Sequence, residues 1–280
     1  MTTGPACPIA NLEKLLIATD ATSYSEGAIR EGIKFATKCS SRLYACMTLD
    51  TNPEYETIGQ DAFQQEEAAA MAHLETIKAR AAKEGVICET ILHESRDAAQ
   101  GLVDEATEKK VDMIIVGRHG YQGLAKALMG EVAAKVITAS PCKVMVVPKA
   151  AQIECKTILI ATDGSAHAKT AVQEAIAIAK RNGSHLIALS AMRDESERQE
   201  AKDFSEQAAA MARTEGVAAE AITPMGRSFT AIVEEAGGRG VDLIVMGAYG
   251  KTGVKKLIMG SSTEKVIGTA GCAVLVVRAG

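Results

Sequence analysis

The segment Lys14-Leu-Leu-Ile-Ala-Thr-Asp20 is repeated almost unchanged as Thr157-Ile-Leu-Ile-Ala-Thr-Asp163. Each copy is an apolar run that ends in threonine and aspartate, which is typical of a strand buried on both faces of a parallel sheet. Two later pairs of segments also match, residues 111–117 with 241–247 and residues 142–147 with 272–277. Because this period is too long for a solenoid unit, the sequence predicts a tandem duplication of one α/β domain.

The spacing of the matches locates the two domains. The first pair lies 143 residues apart and the later pairs lie 130 apart, so the second copy is shorter in its middle. Much of this loss falls between the second and third strands. The boundary lies near residues 148–154, between the last strand of one copy and the first strand of the next. We therefore predict domains at residues 1–150 and 151–280.

Within the second copy, apolar runs alternate with longer stretches rich in Ala, Glu, Gln and Lys. The longer stretches 166–181 and 195–214 are predicted helices, and Asn182-Gly183 closes the first of them as a C-cap does. Strand–helix alternation gives a parallel sheet with right-handed crossovers, so each copy is predicted to be a doubly wound five-stranded domain. The predicted strands are 157–162, 185–191, 217–222, 241–247 and 272–277.

The composition excludes several classes of protein. A net charge of −4, only 3% aromatic residues and no tryptophan argue against nucleic-acid binding. We see no signal peptide and no apolar run of about 18 residues, so we expect a cytoplasmic protein that does not contact membranes. The seven cysteines contain no CxxC pair. They are therefore expected to be reduced thiols, most of them packed in the core.

Ligands of open parallel sheets bind beyond the carboxyl ends of the strands, where the strand order reverses. In the second copy the first strand ends in Thr162-Asp163-Gly164-Ser165, and the fourth strand leads into Gly247, Gly250 and Gly260. The run 261–263 (Ser-Ser-Thr) then places hydroxyls and free N–H groups at a helix start, which is a ready anion site. Asp163 would repel phosphate and suits ribose hydroxyls or an exocyclic amine. Three nearby lysines add positive charge: Lys251, Lys255 and Lys256.

The first copy departs from this pattern at one point. It keeps Gly117, Gly120 and Gly130 at the same spacing, but Glu131 stands where the second copy has Ser261. Val132 and Ala133 follow it. A carboxylate at the helix start would itself fill the anion site and repel phosphate. We therefore predict that the first copy has lost or altered its binding and serves as a structural or regulatory partner.

The spacing G-x2-G-x9-G-S of Gly247, Gly250, Gly260 and Ser261, together with Asp163, resembles the universal stress protein family over both copies. The resemblance implies a Rossmann-like sheet ordered 3-2-1-4-5 and binding of ATP, with or without Mg²⁺. It also implies pairing of the two fifth strands within the chain, and it leaves a homodimer open. Its adenine and ribose residues would be Ala161, Asp163, Ala191 and Met246. Its phosphate residues would be Gly247, Tyr249, Gly250, Gly260, Ser261, Ser262 and Thr263.

We interpret the chain as a stress-response regulatory protein that holds an adenine nucleotide mainly in domain 2. ATP would order residues 247–263, and an unidentified protein partner would read that surface. No catalytic residue or metal ligand is predicted, and any ATP hydrolysis would be slow. A P-loop NTPase is one alternative, since Gly250-Lys251-Thr252 follows a strand, but the motif's first glycine is replaced by Val245. Two further alternatives are a metal or thiol enzyme and a scaffold that binds no nucleotide.

Overall fold

The computed structural model describes residues 7–51, 60–118, 129–250 and 259–278. Strands and helices alternate along both halves of these residues. The first half contains β1 (Lys14–Ala18), α1 (Glu26–Cys39), β2 (Arg42–Asp50), α2 (Gln60–Lys83), β3 (Cys88–Ser95), α3 (Ala98–Lys109), β4 (Met113–Gly117), α4 (Glu131–Ala139) and β5 (Lys143–Val147). The second half contains β6 (Thr157–Ala161), α5 (Ala166–Asn182), β7 (His185–Leu189), α6 (Arg198–Thr214), β8 (Ala218–Ile222), α7 (Ser228–Gly238), β9 (Leu243–Gly247), α8 (Ser261–Thr269) and β10 (Ala273–Val277).

The strands form one ten-stranded sheet in the order β3-β2-β1-β4-β5-β10-β9-β6-β7-β8. Each half has the strand order 3-2-1-4-5 with all its own pairs parallel, which confirms the predicted fold. The halves join through an antiparallel pair of their fifth strands, in which Met145 lies opposite Leu275. This pairing covers two strands that would otherwise be exposed sheet edges.

Helices cover both faces of the sheet, and neighbouring residues of each strand point to opposite layers. Leu15 and Ile17 belong to the core beneath α1, α2, α5 and α6. Leu16 belongs to the core beneath α3, α4, α7 and α8. All five residues of β10 are buried, as expected for a strand in the middle of a two-sided sheet. None of the described helices is long and apolar enough to cross a membrane.

The observed helix ends differ from the predicted ones in one place. A 3₁₀ turn, Glu195–Glu197, precedes α6, so the predicted helix over 195–214 is two elements. Helix α8 begins at Ser261, within the run 261–263 that the sequence analysis placed at the helix start. The predicted C-cap is confirmed, because Gly183 adopts a left-handed φ of 65° after α5. The length difference between the halves lies where predicted, since β2 and α2 are both longer than β7 and α6.

The expectation that all seven cysteines are reduced is wrong for two of them. Cys7 and Cys39 form a disulfide, with their Cα atoms 4.4 Å apart. They are separated by 32 residues in sequence, and only the folding of β1 and α1 brings them together. The other five cysteines are free, and three of them are buried. Cys142 and Cys272 precede β5 and β10 and pack against the core, in keeping with a packing role.

Candidate functional site

The carboxyl ends of β6, β7 and β9 and the amino ends of α5 and α8 surround a cavity of about 310 Å³ in the second half. This is the edge of the sheet where the strand order reverses, because β6 and β9 are neighbours while their helices lie on opposite faces. The structure brings all the predicted site residues together there. Those lining the cavity are Ala161, Asp163, Ala191, Met246, Gly247, Tyr249, Gly250, Gly260, Ser261, Ser262 and Thr263.

The loop after β6 holds the Asp163 carboxylate against the glycine loop. Its Oδ1 accepts a hydrogen bond from the Ser165 backbone N–H at 3.0 Å. Its Oδ2 would lie 2.7 Å from a Cβ placed on Gly250, so that position has room only for glycine while Asp163 stays in place. The carboxylate is therefore fixed at the rim of the cavity beside the backbone of residue 250.

Gly247 and Gly260 differ in whether the structure leaves room for a side chain. A Cβ on Gly247 would lie 2.9 Å from the carbonyl carbon of His167, so the packing of α5 against β9 already requires glycine there. A Cβ on Gly260 would meet Thr263, Ala248 and the Gly250 nitrogen only at ordinary contact distances of 3.5–3.6 Å. A Cβ would therefore fit at Gly260 without a clash, whereas the packing of α5 leaves no room for one at Gly247.

Helix α8 begins at the cavity without a side-chain cap. The N–H groups of its first residues therefore have no acceptor within the helix. The Gly260 N–H donates to the Ala248 carbonyl at 3.0 Å, and the Thr263 hydroxyl donates to the Gly247 carbonyl at 3.1 Å. These bonds hold the helix start against the end of β9. The result is a fixed patch of positive potential that can accept an anion.

Tyr249 is only 4% exposed, and the edge of its ring packs against His167 with the ring centroids 5.0 Å apart. Its position indicates a supporting role for the loop in addition to any contact with a ligand. The predicted cations Lys251, Lys255 and Lys256 lie outside the described residues. The same is true of Gly120 in the first half and of Thr252, so the P-loop alternative is not tested by the structure.

Two helices supply cavity residues that the sequence analysis missed. From the turn before α6 and from α6 itself come Arg193, Glu197, Glu200, Ala201 and Phe204, and from α7 come Ser228 and Ile232. No motif marks these positions, because they reach the site only through the packing of helices on opposite faces of the sheet.

Phe204 lies directly over the loop after β6. A Cβ on Gly164, which has a left-handed φ of +76°, would lie only 2.3 Å from the Phe204 ring. Glycine at 164 is therefore favoured by the backbone conformation and required by the space that the ring occupies. Phe204 and Asp163 both line the cavity, and Gly164 packs against the Phe204 ring.

The first half has a different arrangement at the corresponding edge. The Glu131 carboxylate pairs with Lys135 at 3.0 Å, and Lys135 also pairs with Asp97 at 3.0 Å. These two carboxylates raise the pKa of Lys135. The Glu131 side chain is 80% exposed, so it does not plug an anion site as the sequence analysis expected. It places a negative charge at the start of α4 instead.

The fold and this edge define a tandem, doubly wound α/β protein. A family model described as the universal stress protein family matches residues 11–148 and, a second time, residues 154–278. The chain therefore belongs to the universal stress protein family, and the resemblance stated from its sequence is confirmed.

Some relatives match about half of this chain, and a solved structure matches nearly all of it. A Thermus aquaticus protein described as "Universal stress protein in QAH/OAS sulfhydrylase 3'region" is 38% identical over 135 residues, 44% of this chain and 98% of that protein. Universal stress protein MJ0531 of Methanocaldococcus jannaschii is 33% identical over 145 residues, 49% of this chain and 82% of that protein. The crystal structure of a universal stress protein from Archaeoglobus fulgidus covers 96% of this chain and 100% of its own, with a TM-score of 0.73. At 20% sequence identity, this last likeness concerns the fold alone.

Proposed function

We propose that this protein binds ATP or a related adenine nucleotide in the second-half cavity and acts as a nucleotide-dependent regulator in the stress response. The observation that carries the proposal is the uncapped start of α8, which lines the cavity together with Gly247 and Gly250. Domain 2 (residues 151–280) is the main holder of the ligand, and domain 1 (residues 1–150) has lost or altered its binding. A cytoplasmic location belongs to the same proposal.

The phosphate groups would lie at residues 260–263. Backbone N–H groups at the start of α8 point outward along the helix axis, and the helix dipole adds about half a positive charge there. The hydroxyls of Ser261 and Ser262 line the same end of the cavity. A polyphosphate needs many donors and no bulky side chain, and this end offers both.

The ribose and base would lie toward the ends of β6 and β7. The Asp163 carboxylate is an acceptor that suits ribose hydroxyls and repels phosphate, which fixes the direction of the ligand. Ala161, Ala191 and Met246 provide small or flexible apolar contacts for a base. The cavity of about 310 Å³ lies at the lower end of the range for small-molecule sites, which suits a partly exposed mononucleotide.

The test is a calorimetric titration of the full chain with ATP, using Gly260→Glu as the disrupting variant and Gly130→Glu as its matched control. A carboxylate at residue 260 stands where the phosphates are proposed to bind, so we expect affinity to fall by at least about 100-fold. Gly130 holds the corresponding N-cap position of α4, and its variant should keep one ATP per chain at unchanged affinity.

Three results would reject the proposal. If the wild-type protein shows no measurable heat of binding at millimolar ATP, the proposed nucleotide binding is rejected. Two equal sites per chain would contradict the assignment of the ligand to domain 2. Equal losses in Gly260→Glu and Gly130→Glu would place binding elsewhere. Circular dichroism of both variants ensures that only folded protein is compared.

A further inference from the structure

The N-terminal segment, residues 7–12, lies across the seam between the two halves. Ile9 and Leu12 are 0% and 3% exposed and belong to the core that α1 and α5 share. On the side of the second half, the Asn182 side-chain amide at the end of α5 donates to the Pro8 carbonyl at 3.2 Å. One short segment therefore contacts the last turns of a helix from each half.

The linker between the halves, residues 148–156, runs along helix α1. The Arg30 guanidinium donates to the Lys149 carbonyl at 3.0 Å, and the Lys34 ammonium donates to the Ile153 carbonyl at 2.8 Å. The Ile153 N–H donates in return to the buried Glu31 carboxylate at 3.2 Å. Pro8 meets this linker at a small gap of about 10 Å³. The N-terminal segment thus covers the point where linker, α1 and α5 converge.

The disulfide fastens that segment. Cys39 is the last residue of α1, Cys7 is in the segment, and both are half-buried. The five free cysteines differ from this pair in their expected reactivity. Burial raises the pKa of each free thiol, to about 12 for Cys46 and Cys155. Buried, protonated thiols react slowly. The remaining three with raised pKa values are Cys88, Cys142 and Cys272.

We propose that Cys7 and Cys39 are a reversible thiol–disulfide modification site that latches the N-terminal segment across the seam of the two halves. In the oxidising direction, hydrogen peroxide takes two electrons from the two thiols. The S–S bond forms, the O–O bond breaks, and the two thiol protons leave in two molecules of water. In the reducing direction, two molecules of a small thiol such as glutathione become one disulfide, and their protons pass to the Cys7 and Cys39 sulfurs.

The latch acts on the seam and not on the second-half cavity. Helix α5 begins at the cavity beside Ser165, and its C-terminal end reaches Pro8 through Asn182. A helix of 17 residues separates the two points by roughly 25 Å. Opening the disulfide should therefore loosen residues 7–12 and leave the ligand cavity intact, so this inference does not depend on the proposed nucleotide binding.

The experiment uses the full chain equilibrated in glutathione buffers from fully oxidised to fully reduced. Alkylation followed by mass spectrometry reports which cysteines are free, and hydrogen exchange reports the amides of residues 9–13. We expect Cys7 and Cys39 to become alkylated together under reducing conditions, with faster exchange at residues 9–13. The melting temperature should fall by about 5 °C, since a loop of 32 residues is released.

Cys7→Ser should melt like the reduced wild type and stop responding to glutathione. Cys142→Ser removes a half-buried free thiol and should respond as the wild type does. The proposal fails if Cys7 and Cys39 stay alkylatable in fully oxidised buffer, if the pair stays bonded in fully reduced buffer, or if reduction changes neither exchange nor melting. Because reduction of the wild type is itself a test, a folding defect in Cys7→Ser would not hide the answer.

Discussion

The two halves share one strand order but differ at the edge where a ligand would bind. In the second half, the helix after the glycine loop begins with Ser261, Ser262 and Thr263, which line a cavity. In the first half the corresponding helix begins with the exposed, ion-paired Glu131 and then Val132, itself 43% exposed. The sheet depends on buried apolar strands, which both halves keep. The ligand edge depends on a few residues at helix starts, and these can change without loss of the fold.

A second difference lies on the helices that face the end of the first strand in each half. Counting back from the matching Glu-Gly-Val turns at 84–86 and 215–217, His73 of α2 corresponds to Phe204 of α6. The His73 Nε2 atom is 2.9 Å from the Thr19 hydroxyl, so a polar contact stands where the second half has a ring packed on glycine. The first half has Ala21 at the position of Gly164, with a left-handed φ of 58°.

The largest expected effect comes from giving the second half the helix start of the first. Ser261→Glu should weaken ATP binding by about 100-fold, or about 2.7 kcal/mol, because the carboxylate is added beside the proposed phosphate position. Lys265 lies four residues after position 261, just as Lys135 lies four residues after Glu131. The new carboxylate therefore has an equivalent lysine with which to form an ion pair. Isothermal titration of wild type and variant measures the loss.

Glu131→Ser is the reciprocal variant. We expect it to leave the stoichiometry at one ATP per chain, since Val132 and Ala133 still supply no hydroxyls. Undiminished affinity in Ser261→Glu would break the comparison, because the halves would then differ for another reason. A second site in Glu131→Ser would sharpen it, by assigning the whole difference to one carboxylate.

A smaller effect is expected on stability at Gly164. Gly164→Ala should lower the free energy of unfolding by about 2 kcal/mol, because the added methyl group meets the Phe204 ring and the residue has positive φ. Gly183→Ala is the matched control: φ is +65° there but nothing lies within 4 Å of the added Cβ, so about 1 kcal/mol is expected. Urea unfolding measures both variants.

The double variant Gly164→Ala with Phe204→Ala separates the two causes. Ala21 shows that alanine can adopt this backbone conformation in the first half, so the ring should account for part of the cost. The cost of Gly164→Ala should therefore be smaller in the absence of Phe204. An equal cost in both backgrounds would mean that backbone strain alone requires the glycine.

The sequence predicted those features that depend on local pattern. Buried strands such as β9 appear as unbroken apolar runs, and the strand-end residues Asp163, Gly250 and Ser261 could be placed at one edge because parallel strands end together. Phe204 and the Cys7–Cys39 pair could not be predicted in this way. Phe204 contacts Gly164, and Cys7 contacts Cys39, only after the helices have packed on the sheet.

The smallest expected effect is on the pH dependence of stability, through His73. Burial lowers the pKa of His73 below its ordinary value of 6.5, against the opposing influence of Asp20 and Glu26, while Arg80 lowers it further. The unfolded chain therefore takes up a proton at a higher pH than the folded chain does. The contribution of neutral His73 is present above pH 6.5 and is lost as the pH falls below that value. His73→Phe should flatten the fall in the urea midpoint between about pH 7 and pH 5, and the reciprocal Phe204→His should steepen it by placing an imidazole at the corresponding position of the second half. If both variants keep the wild-type slope, the residue facing the first strand does not distinguish the halves by its titration.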